Sequence, residues 1–174
     1  AGPVVDLSGA PGSTLKGFRI VDTMDPDTGV KAGQNSTISD NVIGPSSNGE
    51  ATNIGTGVLV DGVSNVAVQN NRIAGTQAAV RVIGGSNGDS ITANVIGLAA
   101  DGSTPLPNRQ GILVGADAPA PSYTIVRDGI TVTNGLTIQG NTIAASDTGD
   151  PHSVGYGIAL IGRAMAGVQI RGNR

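Results

Sequence analysis

This 174-residue sequence predicts an all-β fold in which short parallel strands stack as a solenoid. Three observations carry that prediction. A phrase of the form apolar-x-x-Asn-x-apolar recurs as Ile38–Ile43, Val68–Ile73, Ile91–Ile96 and Ile138–Ile143. It starts once more at Ile170-Arg171-Gly172-Asn173, and Leu15–Ile20 fits the same frame with Phe18 in the Asn place. A second phrase, Gly/Ala-apolar-x-apolar, recurs at Gly57, Ala79, Gly111 and Gly157. Finally, the composition combines 28 Gly and 9 Pro with only 13% charged residues, which suits short strands joined by many turns.

The first phrase has a geometric meaning. Apolar residues five places apart fit neither one face of a strand nor one face of a helix. A short strand, a tight corner and a second strand would turn both apolar ends inward. Asn suits the corner, because it tolerates the left-handed conformation and its amide can hydrogen-bond. Successive Asn (or Phe18) positions lie from twenty-three to forty-seven residues apart. The shortest intervals match bare coils of a solenoid and the longer ones match coils carrying loops. Residues 1–174 are therefore expected to form one domain of roughly six to seven coils, a fragment of a longer solenoid with open ends. Asn41, Asn71, Asn94, Asn141 and Asn173 would stack as an internal ladder about 4.8 Å apart.

Taken in order, Pro3–Leu7 reads as a strand and Ser8–Ser13 as a turn cluster. Thr14–Ile20 is the first corner unit, and Val21–Gly29 follows as an acidic loop. Val30–Gly44 carries the next coil, Pro45–Gly55 is a polar excursion, and Gly57–Gly62 returns as a strand. Asn65–Ile73 and Ala79–Gly84 repeat corner and strand. The longest interval holds two insertions, Leu98–Gln110 and Ala116–Thr133. The second reads as a small hairpin, Tyr123–Val126 turning into Ile130–Val132. Loops of that size on a solenoid are where recognition sits.

The Asn-centred phrase resembles the right-handed parallel β-helix superfamily, which includes pectate lyases, polygalacturonases, phage tailspikes and bacterial surface adhesins. The segment Asn94–Val114, with its Asn, Ile-Gly, Asp/Thr/Gly loop and returning strand, resembles a unit common in large bacterial β-helical surface proteins. The resemblance covers nearly the whole chain. It implies a right-handed parallel β-helix with an internal asparagine ladder and loop insertions. It does not fix an activity, since this scaffold carries many.

Chemistry-bearing residues are few. Asp147–Ser153 followed by Tyr156 contains the only His, and its Asp150-Pro151-His152 resembles a motif of β-helical alginate epimerases. That resemblance implies Asp150, His152 and Tyr156 as catalytic residues moving a sugar proton. In that family the Tyr-Gly precedes the motif, whereas here Tyr156-Gly157 follows it. Asp22, Asp25 and Asp27 are a calcium candidate, against the simpler reading of an acidic surface turn. No other cofactor is expected. Paired carboxylates for glycoside hydrolysis are not apparent, and three aromatic residues make a poor sugar platform.

A net charge of −3 and a pI near 4.8 argue against nucleic acid. Zero Cys excludes a disulfide framework and thiolate zinc. No apolar run approaches a membrane span. The expectation is a structural or adhesive segment of an extracellular or cell-surface fibre protein, bacterial or phage. Its loops would meet a surface or polysaccharide ligand, and its ends would associate or the rod would trimerise. The alternative is a polysaccharide-modifying enzyme, a uronan epimerase or lyase, working at the Asp150–Tyr156 loop.

Overall fold

The computed structural model describes residues 2–21, 27–51, 54–115, 132–144, 156–161 and 164–174, with the side chains of 132–134, 156, 161 and 164–166 outside that description. Among the described residues there is no helix, and every pairing between strands is parallel. The chain passes repeatedly through three sheets in rotation. The first sheet stacks Val5–Asp6, Thr28–Lys31, Thr56–Asp61, Ala78–Ile83, Gln110–Gly115 and Tyr156–Ile161. The second stacks Thr14–Lys16, Thr37–Ser39, Ala67–Gln69, Ser90–Thr92, Thr137–Gln139 and Gln169–Arg171. The third stacks Arg19–Ile20, Val42–Ile43, Arg72–Ile73, Val95–Ile96 and Thr142–Ile143. A smaller parallel sheet, Ser86–Asn87, Val132–Asn134 and Ala164–Ala166, lies between the first and second along the chain. Val132, expected in a hairpin, therefore opens a parallel strand. The remainder of that expected hairpin lies outside the described residues.

Strand alternation points apolar rows from each sheet into a common core. Register makes each row nearly uniform. Leu15, Ile38, Val68, Ile91 and Ile138 align in the second sheet and Ile20, Ile43, Ile73 and Ile96 in the third, none of them more than 8% exposed. Val58, Val80 and Ile112 align in the first, with Val60, Val82 and Val114 beside them. Stacking like on like lets one β-branched shape pack against its copy without a new fit at each level. In the last strands of the first and second sheets, Leu160 is 42% and Ile170 46% exposed.

The glycine at the head of the second phrase has a packing reason. A Cβ on Gly57 would lie 2.6 Å from both the Ala79 carbonyl oxygen and Ile73 Cγ2. The first and third sheets meet there, and the isoleucine row of the third closes onto the backbone of the first. Gly29 and Gly111 sit in the same way against Ile43 and Ile143.

Corner geometry corrects one detail of the sequence reading. The left-handed residue is the one before each ladder position: Gly17, Asp40, Asn70, Ala93, Gly140 and Gly172 have φ of 76°, 56°, 55°, 54°, 65° and 57°. That residue turns the chain, so the following Asn enters the interior without adopting the left-handed conformation itself. Phe18 departs from the row. Its backbone N–H donates to Asn41 Oδ1 at 2.9 Å, but its side chain is 57% exposed.

Candidate functional site

An interior row of asparagines links successive passes of the chain. Asn41, Asn71, Asn94 and Asn141 are each at most 1% exposed. Nδ2 of Asn41 donates to Asn71 Oδ1, Asn71 to Asn94, Asn94 to Asn141, and Asn141 to Asn173, at 2.9–3.0 Å. The same oxygens accept the backbone N–H of the preceding Asn. The second Nδ2 hydrogen goes to a second-sheet carbonyl of the previous pass, such as Ile38 for Asn71 and Val68 for Asn94. Every buried amide is thereby paired, which is the condition for polar groups at this depth.

The same device appears where composition did not single it out. Asn108 is 1% exposed; its Oδ1 accepts from Thr76 N and Thr76 Oγ1, and its Nδ2 donates to the Ile73 carbonyl. It follows Pro105-Leu106-Pro107, but Gln110 stands where the Asn-centred frame needs an apolar residue, so that frame does not mark it.

Several insertions share one corner: segments 44–55, 74–77, 97–109 and 144–155 connect the third sheet to the first, whereas 116–131 joins the first sheet to the small one. Two long ones are tied back to the third sheet by outward arginines of the preceding pass. Arg19 Nη1 donates to the Pro45 and Ser46 carbonyls, each at 3.1 Å, and Arg72 Nη1 donates to the Ala100 carbonyl at 2.6 Å. The 97–109 loop also closes on itself. Ser103 and Thr104 N–H donate to Asp101 Oδ1, Leu106 N–H bonds the Gly97 carbonyl, and Leu98 pairs with Pro105 antiparallel. Those bonds hold the exposed Asp101 carboxyl down at about 2, the Thr104 hydroxyl contributing most.

Between the two long loops the 74–77 turn stays low. The result is a cleft of about 250 Å³ lined by Ala51, Ile54, Gly75, Gln77, Pro107 and Arg109 among others. Its lining is mixed, with Thr76, Gln77 and Arg109 beside the apolar Ala51, Ile54 and Pro107. Arg109 and Gln77 lie on adjacent passes, Arg109 N–H bonding the Thr76 carbonyl and Gln110 N–H the Gln77 carbonyl. Such a surface can hold a ligand by shape and hydrogen bonds. It holds no acid–base pair among the described residues.

The residues singled out for chemistry fall largely elsewhere. Asp150 and His152 lie outside the described residues, as do Asp22 and Asp25. Tyr156 opens the last strand of the first sheet beside Gln110, at the corner where the insertions leave, and its side chain is outside the description. Asp27 is exposed, and its carbonyl accepts from Thr56 N–H. Among the described residues no group of three His, Cys, Asp or Glu could hold a metal ion, and no helix is long and apolar enough to cross a membrane.

Together these features define an all-β, parallel-stranded chain with buried, hydrogen-bonded asparagines, consistent with a β-helix-like solenoid. No protein-family model matches this chain. No curated protein and no solved structure matches it either.

Proposed function

We propose that this chain is a structural, adhesive segment of an extracellular or cell-surface fibre protein, built as a right-handed parallel β-helix of six to seven coils. Its loops present a binding surface for a surface or polysaccharide ligand. Right-handedness is the hand taken by nearly all parallel β crossovers. The observation that carries the functional reading is that the 44–55 and 97–109 insertions leave the same corner, fastened there by Arg19 and Arg72. Coil residues are committed to the core or to stacking, whereas loops of this kind can vary in sequence without disturbing register. Loops held rigid before binding lose less entropy on contact.

Glycan-array and cell-binding measurements on the whole chain test this reading. Replacing residues 98–105 with a tight turn should leave circular dichroism unchanged and abolish binding, while His152→Ala should bind normally. A second reading, uronan epimerase or lyase chemistry through Asp150, His152 and Tyr156, draws support from the position of Tyr156 at the same corner. Turnover of a uronic-acid polymer that His152→Ala abolishes would establish it and displace the adhesive reading.

A further inference from the structure

Asp89 is the one acidic side chain built into the core of the described residues. It is 2% exposed and occupies an inward row at the entry to the second sheet, following Ser36 and Val66 of earlier passes and followed by Leu136, all at most 1% exposed. Its Oδ1 accepts the Val66 N–H at 2.9 Å. Its Oδ2 is buried without a hydrogen-bond partner, and so is the Ser86 hydroxyl three residues earlier.

The other buried corners explain what this site lacks. In the asparagine row, the N–H of one pass donates to the side-chain oxygen of the next, as Asn71 N–H does to Asn94 Oδ1. At the third corner Thr76 N–H donates to Asn108 Oδ1. Val66 N–H and Asp89 Oδ1 repeat that bond. In each amide case the second side-chain atom is a donor, and it satisfies a buried carbonyl: Val68 for Asn94, Ile73 for Asn108. An ionised Asp89 has only an acceptor there. A protonated carboxyl has the amide's pattern of one acceptor and one donor.

We propose that Asp89 fills an asparagine's place as a carboxylic acid, so that proton uptake at Asp89 tightens this corner and its ionisation loosens the contact between successive passes. The surroundings favour the neutral form. Burial raises the carboxyl above its ordinary range; the nearby Ser86 hydroxyl, which makes no well-formed hydrogen bond to it, and the Val66 N–H offset this only in part. Among the described residues, the groups packed around it bring no countercharge. Val66 and Leu136 are apolar, and Ser86 and Asn87 are neutral. Val132, Thr133 and Asn134, the strand paired with these two, carry no titratable group by identity. The charged residues of the adjoining first sheet, Asp61 and Arg81, stand outside the core rows: Asp61 is exposed, and Arg81 lies between buried Val80 and Val82 on the opposite face.

The sign follows from linkage. A carboxyl with a raised folded-state value adds stability that is fully present below the unfolded value and is lost as pH rises through the folded one. The folding constant then falls by at most about tenfold per pH unit across that window, a one-proton dependence. Denaturant unfolding of the wild-type chain and Asp89→Asn, followed from pH 4 to pH 8, tests the proposal. Wild type should gain stability as pH falls through the raised folded-state value of Asp89 toward the ordinary carboxylate range. Asp89→Asn should be flat there and more stable than wild type at pH 8. Infrared spectra supply a second readout on the wild-type protein, needing no variant to fold. A carboxylic-acid carbonyl band should persist in the folded state above the pH at which exposed carboxyls ionise, and vanish on unfolding at that pH. Parallel stability profiles for the two proteins, or no such band, would overturn the proposal.

Discussion

Asn94 shows how much one side chain can carry in this architecture. It accepts from Asn71 N–H and Asn71 Nδ2 and donates to Val68 and Asn141, all within a site 0% exposed. Asn94→Ala strands donors and acceptors on both neighbouring passes, and each buried unpaired group costs about 1–3 kcal/mol. Denaturant unfolding should therefore register a loss of about 3 kcal/mol or more. Asn94→Asp keeps the size but turns the donor into an acceptor facing two oxygens. It should be worse than Ala at neutral pH and recover in acid, and a pH-independent Asp variant would contradict the hydrogen-bond argument. The preceding residue offers the opposite test. Ala93 holds φ 54° with neither the freedom of glycine nor the side-chain amide of Asn70. Left-handed backbone costs an L-residue about 1–2 kcal/mol, so Ala93→Gly should raise the unfolding free energy by roughly 1 kcal/mol. A loss instead would mean that this corner is not strained.

Among the elements, the 97–109 insertion is the one whose order has separable causes. Arg72 fastens it from outside and Asp101 closes it from within. Arg72→Ala should speed amide exchange in residues 98–105 severalfold and leave the Asn94 row protected. Protection that stays unchanged would show that the clasp contributes nothing. Acid dissects the second cause. With its value held at about 2, the Asp101 carboxylate favours the closed loop above the ordinary carboxylate range, and that contribution is lost as pH falls through about 2. Exchange at Ser103 and Thr104 N–H should accordingly show an acid step that Asp101→Asn removes. Asp89 and Asp101 thus respond to acid with opposite signs and in different windows.

For the whole molecule, charge opposes one mode of self-association. In-register stacking of two copies head to tail would set Arg171 against Lys16 of the second copy, since both occupy one row of the second sheet. Neighbouring strands stand about 4.8 Å apart, inside the Debye length of about 8 Å at physiological ionic strength but outside the roughly 3 Å of 1 M salt. If copies of this 174-residue chain stack in this register through Leu160 and Ile170, the association should be weak at low salt and strengthen as salt is raised. Sedimentation across a salt series reads this directly, and association that weakens with salt would refute the stacking register.

The sequence by itself determined the strand-corner-strand frame and the residues that face inward. Ile38, Ile91 and Ile138 announce themselves because burial demands apolar side chains at fixed offsets from a turn. The asparagines were legible for the same reason, as polar residues repeated inside an apolar frame. Tertiary structure alone decided which residue bears the left-handed turn, because Gly140, Ala93 and Asp40 share no side-chain chemistry, only a backbone place. It alone brought Asn108 beneath Thr76 and Asp89 beside Val66, and it set Arg19 and Arg72 against loops more than twenty residues away. Those contacts run between successive passes, at separations set by the lengths of the insertions. Local pattern reaches along one pass of the chain, and the polar pairing that locks one pass to the next appears only when the passes are stacked.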